Sequence, residues 1–368
     1  MSVAAGQALQ EIEGNPGQVY FPLHLLEVPQ PTPGPHQLLV RMSAVALNHK
    51  DLFIRQRLYP SLDASKPMFS DGCGTVVEVG SGVASPAAWK DQPVLFTPCR
   101  GWEADPAGPE DFDRTWATTG SSSRSEFGTA QEWLVVEADE AVPCPAHLST
   151  TEGAALPLVG LTGWRALVTK SGNALPGRNI LVTGVGGGVA IQVVQFAVAL
   201  GCAVFVTSGD QAKLDRAVQE FGARGGVSYK DADWGKKLAA LLPSDRPYLD
   251  AVIDGAGGDI VSKTARMLKA GGVIVQYGMT LAPKMEWSMP AVLKNIELKG
   301  STMGSRKEFK EMMAFVAEKK IRPVVSRVVK GLGNLEGIES LFEDIKAGRQ
   351  FGKLVIQIDV SDDSPSKL

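Results

Sequence analysis

NILVTGVGGGVAIQVVQFAVALG, residues 179–201, decides how the rest of the chain is read. A short apolar run leads directly into Gly184-Val185-Gly186-Gly187-Gly188, and the residues after it, from Val189 on, are apolar on nearly every side. The order is that of a buried strand, a tight turn and a buried helix. In that context a glycine-rich turn lets the backbone approach a pyrophosphate closely and points a helix N-terminus at it. The stretch therefore predicts a dinucleotide site with Gly184, Gly186, Gly187, Gly188 and Val189 among its cofactor-binding residues.

The same texture continues downstream. AVFVTS (203–208) reads as a second strand, followed by a helix with Leu214, Ala217, Val218 and Phe221 at helical spacing, Asp210 as N-cap and Gly222 as stop. AVID (251–254), VIVQYG (273–278) and ELKGST (297–302) supply further strands, with a helix around Ile260–Leu268. Repeated strand-helix units of this length imply an α/β, doubly wound, mostly parallel sheet. The end of the second strand bears on the choice of cofactor. An Asp or Glu there would hydrogen-bond the adenosine ribose and favour NAD. This strand ends in Thr207-Ser208-Gly209 with Lys213 beyond it, a hydroxyl and a cation that suit a 2′-phosphate, so NADP(H) is expected with Ser208 and Lys213 as contacts. Asp210 is the competing feature, since a nearby acid would blunt that preference.

Residues 18–160 read differently. LLVRMSAVAL (38–47), GTVVEVG (74–80), PVLFTP (93–98) and AQEWLVVE (130–137) are β-rich runs separated by turn residues, which suggests a distorted barrel. A long polar stretch between Cys99 and Phe127 reads as a surface loop or lobe, with Trp102, Trp116 and Trp133 in or beside it, either lining a substrate pocket or forming the loop's own small core. After residue 303, two helical stretches and the strand KLVIQID (353–359) close the chain.

Composition narrows the function. The 368 residues carry 37 Lys plus Arg against 40 Asp plus Glu, a balance that offers no basic footprint for nucleic acid or an anionic membrane. No uninterrupted apolar run of about 18 residues is present, so no membrane span is expected. Cys73, Cys99, Cys144 and Cys202 are too scattered for a CxxC zinc site or a disulfide scaffold and read as packed thiols. The chain ends in Ser366-Lys367-Leu368, which is a receptor-read peroxisomal address in a eukaryote and carries no meaning in a bacterium, where the protein would be cytoplasmic.

Several motifs occur together: LNHKD (47–51), DGCGTVVEVG (71–80), FGTAQEW (127–133), AALPLVGLTGWRAL (154–167), the glycine turn and GKLVI (352–356). With them the chain resembles the medium-chain dehydrogenase/reductase superfamily, in its zinc-independent quinone oxidoreductase and enoyl reductase branch. The resemblance implies a GroES-like catalytic domain in two parts, 1–160 and 303–360, a Rossmann NADP-binding domain at 161–302, and a flexible tail at 361–368. Where zinc-dependent relatives carry metal-binding Cys, His and Cys, it places Asn48, Ser70 and Leu158. No metal site is therefore expected.

The resemblance also implies roles for individual residues. Asn48 to Pro60 is similar to the N-x-x-D…Q-G-x-Y-P stretch of 2-enoyl thioester reductases, with Asn48, Asp51, Gln56, Tyr59 and Pro60 matching and Arg57 in place of the glycine. Tyr59 is the candidate proton donor, or else an aromatic lining residue, and Asn48 is the second catalytic candidate. Thr162 is expected near the nicotinamide, Tyr229 near the adenosine phosphate, Gly278 and Met279 at the nicotinamide amide, and Lys353 against the cofactor. The implied function is NADPH-dependent hydride transfer to an activated C=C or quinone acceptor. The alternatives are a non-catalytic NADPH-binding protein and a stand-alone enoyl reductase serving a biosynthetic pathway. The expected partners are a small-molecule substrate, a second copy of the chain in a homodimer, and the peroxisomal import receptor if the terminal tripeptide is used.

Overall fold

The structure, a computed structural model, describes residues 2–7, 14–60, 62–281 and 284–358; the terminal Ser366-Lys367-Leu368 lies outside them. The chain forms two compact units, one of Met1–Leu158 with Ser305–Leu368 and the other Val159–Gly304. Among the described residues no helix is long and apolar enough to cross a membrane.

The first unit is built on a seven-stranded sheet whose central strand is Gln37–Ala46. One edge of that strand pairs antiparallel with Asp71–Val79, with Ala46 opposite Asp71. The other edge is shared: Gln37–Arg41 pairs with Trp133–Glu137, and Ala44–Ala46 pairs with Val355–Gln357. Leu38, Val40 and Met42 point into a core with Val76, Val94, Leu134, Val136 and Phe342, and each fully buried side chain of this size contributes roughly 1.5–3 kcal/mol. The register has a local consequence. Leu47 and Asn48, leaving the central strand after Ala46, enter a corner flanked by Asp71 on one side and by the strand Lys353–Gln357 on the other.

Asn48 also opens the helix His49–Arg55. Its backbone N–H donates to the Asp51 carboxylate at 2.7 Å, which meets one orphan donor of the first turn. The helix closes with Leu58 N–H on Phe53 O at 2.8 Å and Arg57 N–H on Ile54 O at 3.0 Å, the paired bonds of a Schellman cap. Arg57 takes φ +56° there. The turn thus keeps the left-handed step that the glycine of similar sequences would make, at a cost of about 1 kcal/mol for a residue with a Cβ. Arg55, 1% exposed, anchors this end of the helix. Its guanidinium lies 4.0 Å from the Tyr20 ring centroid and 4.4 Å from that of Phe342, and donates to Phe21 O and Glu339.

The second unit carries a six-stranded, fully parallel sheet. Its strands run in the order Gly225–Ser228, Ala203–Ser208, Asn179–Val182, Leu249–Asp254, Leu268–Gln276, Glu297–Gly300. This is the 3-2-1-4-5-6 order of the Rossmann fold. The helix Gly188–Ala199 follows the glycine turn and buries Ile191, Val193, Val194 and Phe196. Asp210 caps the helix Gln211–Gln219 as expected, accepting Ala212 N–H at 2.9 Å. Val218 is 38% exposed, however, and Phe221 falls beyond the helix end. The helix expected around Ile260–Leu268 is shorter, Ile260–Thr264. Leu268 already pairs with Leu249 as the first residue of the next strand, and Gly271 at φ +67° bends that strand's entry.

Candidate active site

In the second unit the glycine turn has the shape a dinucleotide needs. Gly184 adopts φ +65° and Gly186 φ +133°, both hostile to a Cβ. Gly187 N–H closes the turn on Gly184 O at 3.2 Å, and Gly187 is the N-cap of the helix that begins at Gly188 and Val189. The first-turn N–H groups of that helix have no intrahelical acceptor and carry the positive end of its dipole. The turn lies at the carboxyl ends of Asn179–Val182 and Leu249–Asp254, the strands flanking the point where strand order reverses.

Buried Asp254 ties this edge together. It accepts from the Thr183 hydroxyl, from Gly257 N–H at 2.7 Å and from the Gln276 amide at 2.7 Å. The Gln276 amide also donates to Gly278 O. Asp254 therefore caps the turn after its strand and fixes three strand ends at once. Gly278 approaches Gly255 so closely that a Cβ would lie 3.2 Å from its carbonyl oxygen, and Met279, 36% exposed, follows it at the same edge.

The end of the second strand collects two cations and a phenol. Buried Ser208 accepts Asp210 N–H at 3.2 Å. Lys213 lies over the glycine turn, its Cδ 2.8 Å and its Nζ 3.2 Å from where a Gly186 Cβ would stand. The Tyr229 hydroxyl and Lys230 Cε lie 2.6 and 2.9 Å from where a Gly209 Cβ would stand. The Asp210 carboxylate accepts Ala212 N–H at its cap, and its charge also acts on the Lys213 ammonium. Lys230 was not singled out from sequence, although its position next to Tyr229 in VSYK was the available signal. Thr162, in the helix Pro157–Trp164, is buried with a hydroxyl that finds no partner. Glycine cradles, orphan helix donors and an unpartnered buried hydroxyl together fit a nicotinamide dinucleotide, and these residues would hold it.

In the first unit the corner beside Ala46 holds a buried polar network. Asp71, fully buried, accepts from Asn48 Nδ2 at 2.9 Å, from Leu158 N–H at 2.8 Å and from Lys353 Nζ at 2.7 Å. Lys353 Nζ also donates to Leu47 O and Asn48 Oδ1, both at 2.6 Å. Its three protons are thus directed at acceptors of its own unit, where Lys353 holds Asn48 and Asp71. Ser70 donates to Thr119 O at 2.6 Å. Asn48, Ser70 and Leu158, expected where relatives carry zinc ligands, are thus an amide, a hydroxyl and a backbone N–H committed to protein partners. Among the described residues no group of three or more His, Cys, Asp or Glu side chains is placed to hold a metal ion.

Tyr59 follows the Schellman cap, half-buried. Burial pushes its phenol above the usual value, and a hydrogen bond with Thr118 partly opposes that, so the phenol stays protonated. Lys50 Nζ lies 5.9 Å from the Tyr59 ring centroid and donates to Thr119 O at 2.6 Å. Burial pulls the Lys50 ammonium below its usual value, and Asp51 and Asp71 oppose this. Trp102 is buried with its indole on Asp105 O, and Trp116 stacks on Phe112 at 4.9 Å, so the long loop forms a small core of its own. Asp71 was not singled out from sequence as a site residue. It stands first in the quoted run DGCGTVVEVG, but its partners lie 23, 87 and 282 residues away.

Comparison with known proteins gives these sites a family. The model of an alcohol dehydrogenase GroES-like domain matches residues 34–146, and that of a zinc-binding dehydrogenase matches residues 188–318. The chain is 55% identical over 345 residues to the zinc-type alcohol dehydrogenase-like protein YogA of Leptosphaeria maculans, covering 93% of this chain and 96% of that one. It is 29% identical to a solved NAD-dependent alcohol dehydrogenase, with a TM-score of 0.81 over 98% of this chain and 100% of that one. A single-substitution variant of the crotonyl-CoA carboxylase/reductase AntE, solved with NADP, shares the fold at a TM-score of 0.82 and 20% identity, covering 97% of this chain and 95% of that chain. The protein belongs to the medium-chain dehydrogenase/reductase superfamily and is an oxidoreductase dependent on a nicotinamide cofactor, with a GroES-like unit and a Rossmann unit.

Proposed function

We propose that the protein is an NADPH-dependent reductase of conjugated acceptors (quinones, enones or enoyl thioesters) that works without a catalytic zinc. The observation that carries this reading is the position of the Lys353 ammonium. It lies 2.6–2.7 Å from Asn48 Oδ1, Leu47 O and Asp71 Oδ2, the oxygen atoms that a divalent ion in this corner would otherwise claim. Leu158 offers only its backbone N–H, and that is given to Asp71. A corner built in this way supplies positive charge and hydrogen-bond donors but no open coordination position. An unactivated ketone leaves an alkoxide that calls for a Lewis acid. A conjugated acceptor spreads its charge to an enolate or hydroquinone oxygen, which a few oriented donors can stabilise.

NADPH, when bound, would supply the hydride. Ser208, Lys213, Tyr229 and Lys230 would bind its 2′-phosphate, and the turn Gly184–Gly188 its pyrophosphate. Tyr59, kept protonated by burial, would give the product its proton. Relatives named zinc-type and NAD-dependent alcohol dehydrogenases point elsewhere, so the test must separate both features. NADPH oxidation is followed with quinones, enones and enoyl thioesters after exhaustive chelation. Turnover that survives chelation with NADPH preferred over NADH, and a preference that Ser208→Asp reverses, is the expected result. Loss of activity on chelation, or tighter binding of NADH by the wild type, refutes the corresponding half of the reading. Tight NADPH binding with no turnover of any acceptor would instead favour a non-catalytic binding role.

A further inference from the structure

This inference rests on the proposed reductase reading and adds the atom that meets the developing negative charge. Asn48 is only 6% exposed, and both ends of its amide are committed. Its Oδ1 accepts from Lys353 Nζ at 2.6 Å and its Nδ2 donates to Asp71 Oδ2 at 2.9 Å. A lysine can only donate and an ionised carboxylate can only accept, so the amide has a single orientation and cannot be flipped. That uses one of the two Nδ2 protons. The second N–H meets no acceptor among the described residues, and a nearly buried donor seldom stays open without a ligand or water to satisfy it.

The neighbours cannot substitute for Asn48. The three Lys353 protons are spent on Leu47 O, Asn48 Oδ1 and Asp71 Oδ2, so Lys353 contributes charge rather than a free donor. That charge polarises the amide through its oxygen and strengthens the N–H at the other end. Asp71 holds the amide nitrogen and is itself fixed by Leu158 N–H at 2.8 Å. As a conjugated acceptor gains a hydride, its π pair moves to the carbonyl oxygen, and a proton later neutralises the product. We propose that Asn48 is a catalytic residue whose second Nδ2–H stabilises that oxygen, and that Asp71 and Lys353 are positioning residues which hold the amide in its one productive orientation.

The test compares wild type, Asn48→Ala, the charge-neutral double variant Asp71→Asn/Lys353→Gln, and the triple combination. The acceptor is 1,4-benzoquinone, and NADPH binding is read by fluorescence. Asn48→Ala is expected to lower kcat about 100-fold with NADPH affinity within about twofold of wild type, because the cofactor residues lie in the other unit. The double variant is expected to fall comparably, and the triple no further than Asn48→Ala, because the pair acts through Asn48. Multiplying losses in the triple variant would overturn the positioning role. Where the double variant does not fold, Lys353→Arg keeps the charge but not the three-acceptor geometry, and an unchanged kcat would overturn the role equally. A second readout needs no turnover: bound 4-nitrophenol is expected to ionise at least about one pH unit below free 4-nitrophenol, and Asn48→Ala to abolish that shift. If wild type reduces the quinone and Asn48→Ala keeps its kcat, the inference fails while the reductase reading stands. If wild type reduces no acceptor, that reading fails, and the nitrophenol shift, present or absent, decides the role of Asn48 alone.

Discussion

Three of the four glycines of the dinucleotide turn, Gly184, Gly186 and Gly187, differ in what they tolerate, and alanine at each should separate backbone strain from ligand contact. Gly186 sits at φ +133°, and a Cβ there would meet Lys213 Cδ at 2.8 Å. A backbone of that kind costs a side-chain-bearing residue about 1–3 kcal/mol, and displacing the flexible lysine adds about 1 kcal/mol. Gly184 sits at φ +65° with nothing within 4 Å of its Cβ position, so alanine meets strain alone, about 1 kcal/mol. Gly187 has φ −72°, and a Cβ would lie 3.7 Å from Gly184 O, an ordinary contact. Alanine there gains from a less flexible unfolded chain roughly what it loses as an N-cap, each a few tenths of a kcal/mol. The expected order of apo stability is wild type and Gly187→Ala together, then Gly184→Ala, then Gly186→Ala. At about 2–4 °C per kcal/mol for a unit of this size, Gly186→Ala should melt roughly 4–16 °C below wild type by scanning fluorimetry. NADPH titration of the same proteins gives the second axis. Gly187→Ala should fold normally yet bind NADPH more weakly, since the pyrophosphate needs the bare backbone there. Equal melting temperatures for all three, or Gly187→Ala as the least stable, would refute the reasoning.

Two further outcomes follow from the first unit. Arg55→Met removes a guanidinium held between the Tyr20 and Phe342 rings and leaves Phe21 O without its side-chain donor. Lost cation–π contacts and an unmet buried carbonyl amount to about 2–4 kcal/mol, read by urea unfolding. Arg55→Lys should fall in between, and a Met variant as stable as wild type would contradict the packing argument. Glu110 accepts N–H groups of Glu103, Ala104 and Asp105 at 2.8–3.0 Å. Slight burial raises its carboxyl, but these donors outweigh it and bring it down from the ordinary 4.5 to about 2. A carboxyl lowered by folding stabilises above its unfolded value, so this contribution should be lost as pH falls from 4.5 towards 2. The group is exposed, which limits the effect to below about 1 kcal/mol. Protease sensitivity of residues 103–110 should rise over that window in wild type, and Glu110→Gln should be as sensitive at neutral pH.

Much of the second unit is legible in order along the chain because its signals are local. The strand, the glycine turn and the helix of residues 179–201 are contiguous, and Asp210 caps its helix through a neighbour two residues on. Local reading failed where a distant partner decided the outcome. Leu268 looks like the end of a helix, but pairing with Leu249 makes it the start of a strand. Asp254 closes the run AVID, and only the sheet reveals that it holds Thr183 and Gln276.

The first unit divides along the same line. The sequence by itself determined that Asn48, Arg57 and Tyr59 follow a β-rich run, and that Arg57 stands where similar chains bend on a glycine. The tertiary structure decided that the bend survives, with Arg57 at φ +56° and both cap bonds made. It also decided what surrounds Asn48. Asp71 and Lys353 are far from it in the chain, and they meet it because Ala46 pairs with Asp71 on one edge and with Val355 on the other. Strand register is fixed by burial of whole sheet faces, a property of the assembled sheet that no short window of residues contains.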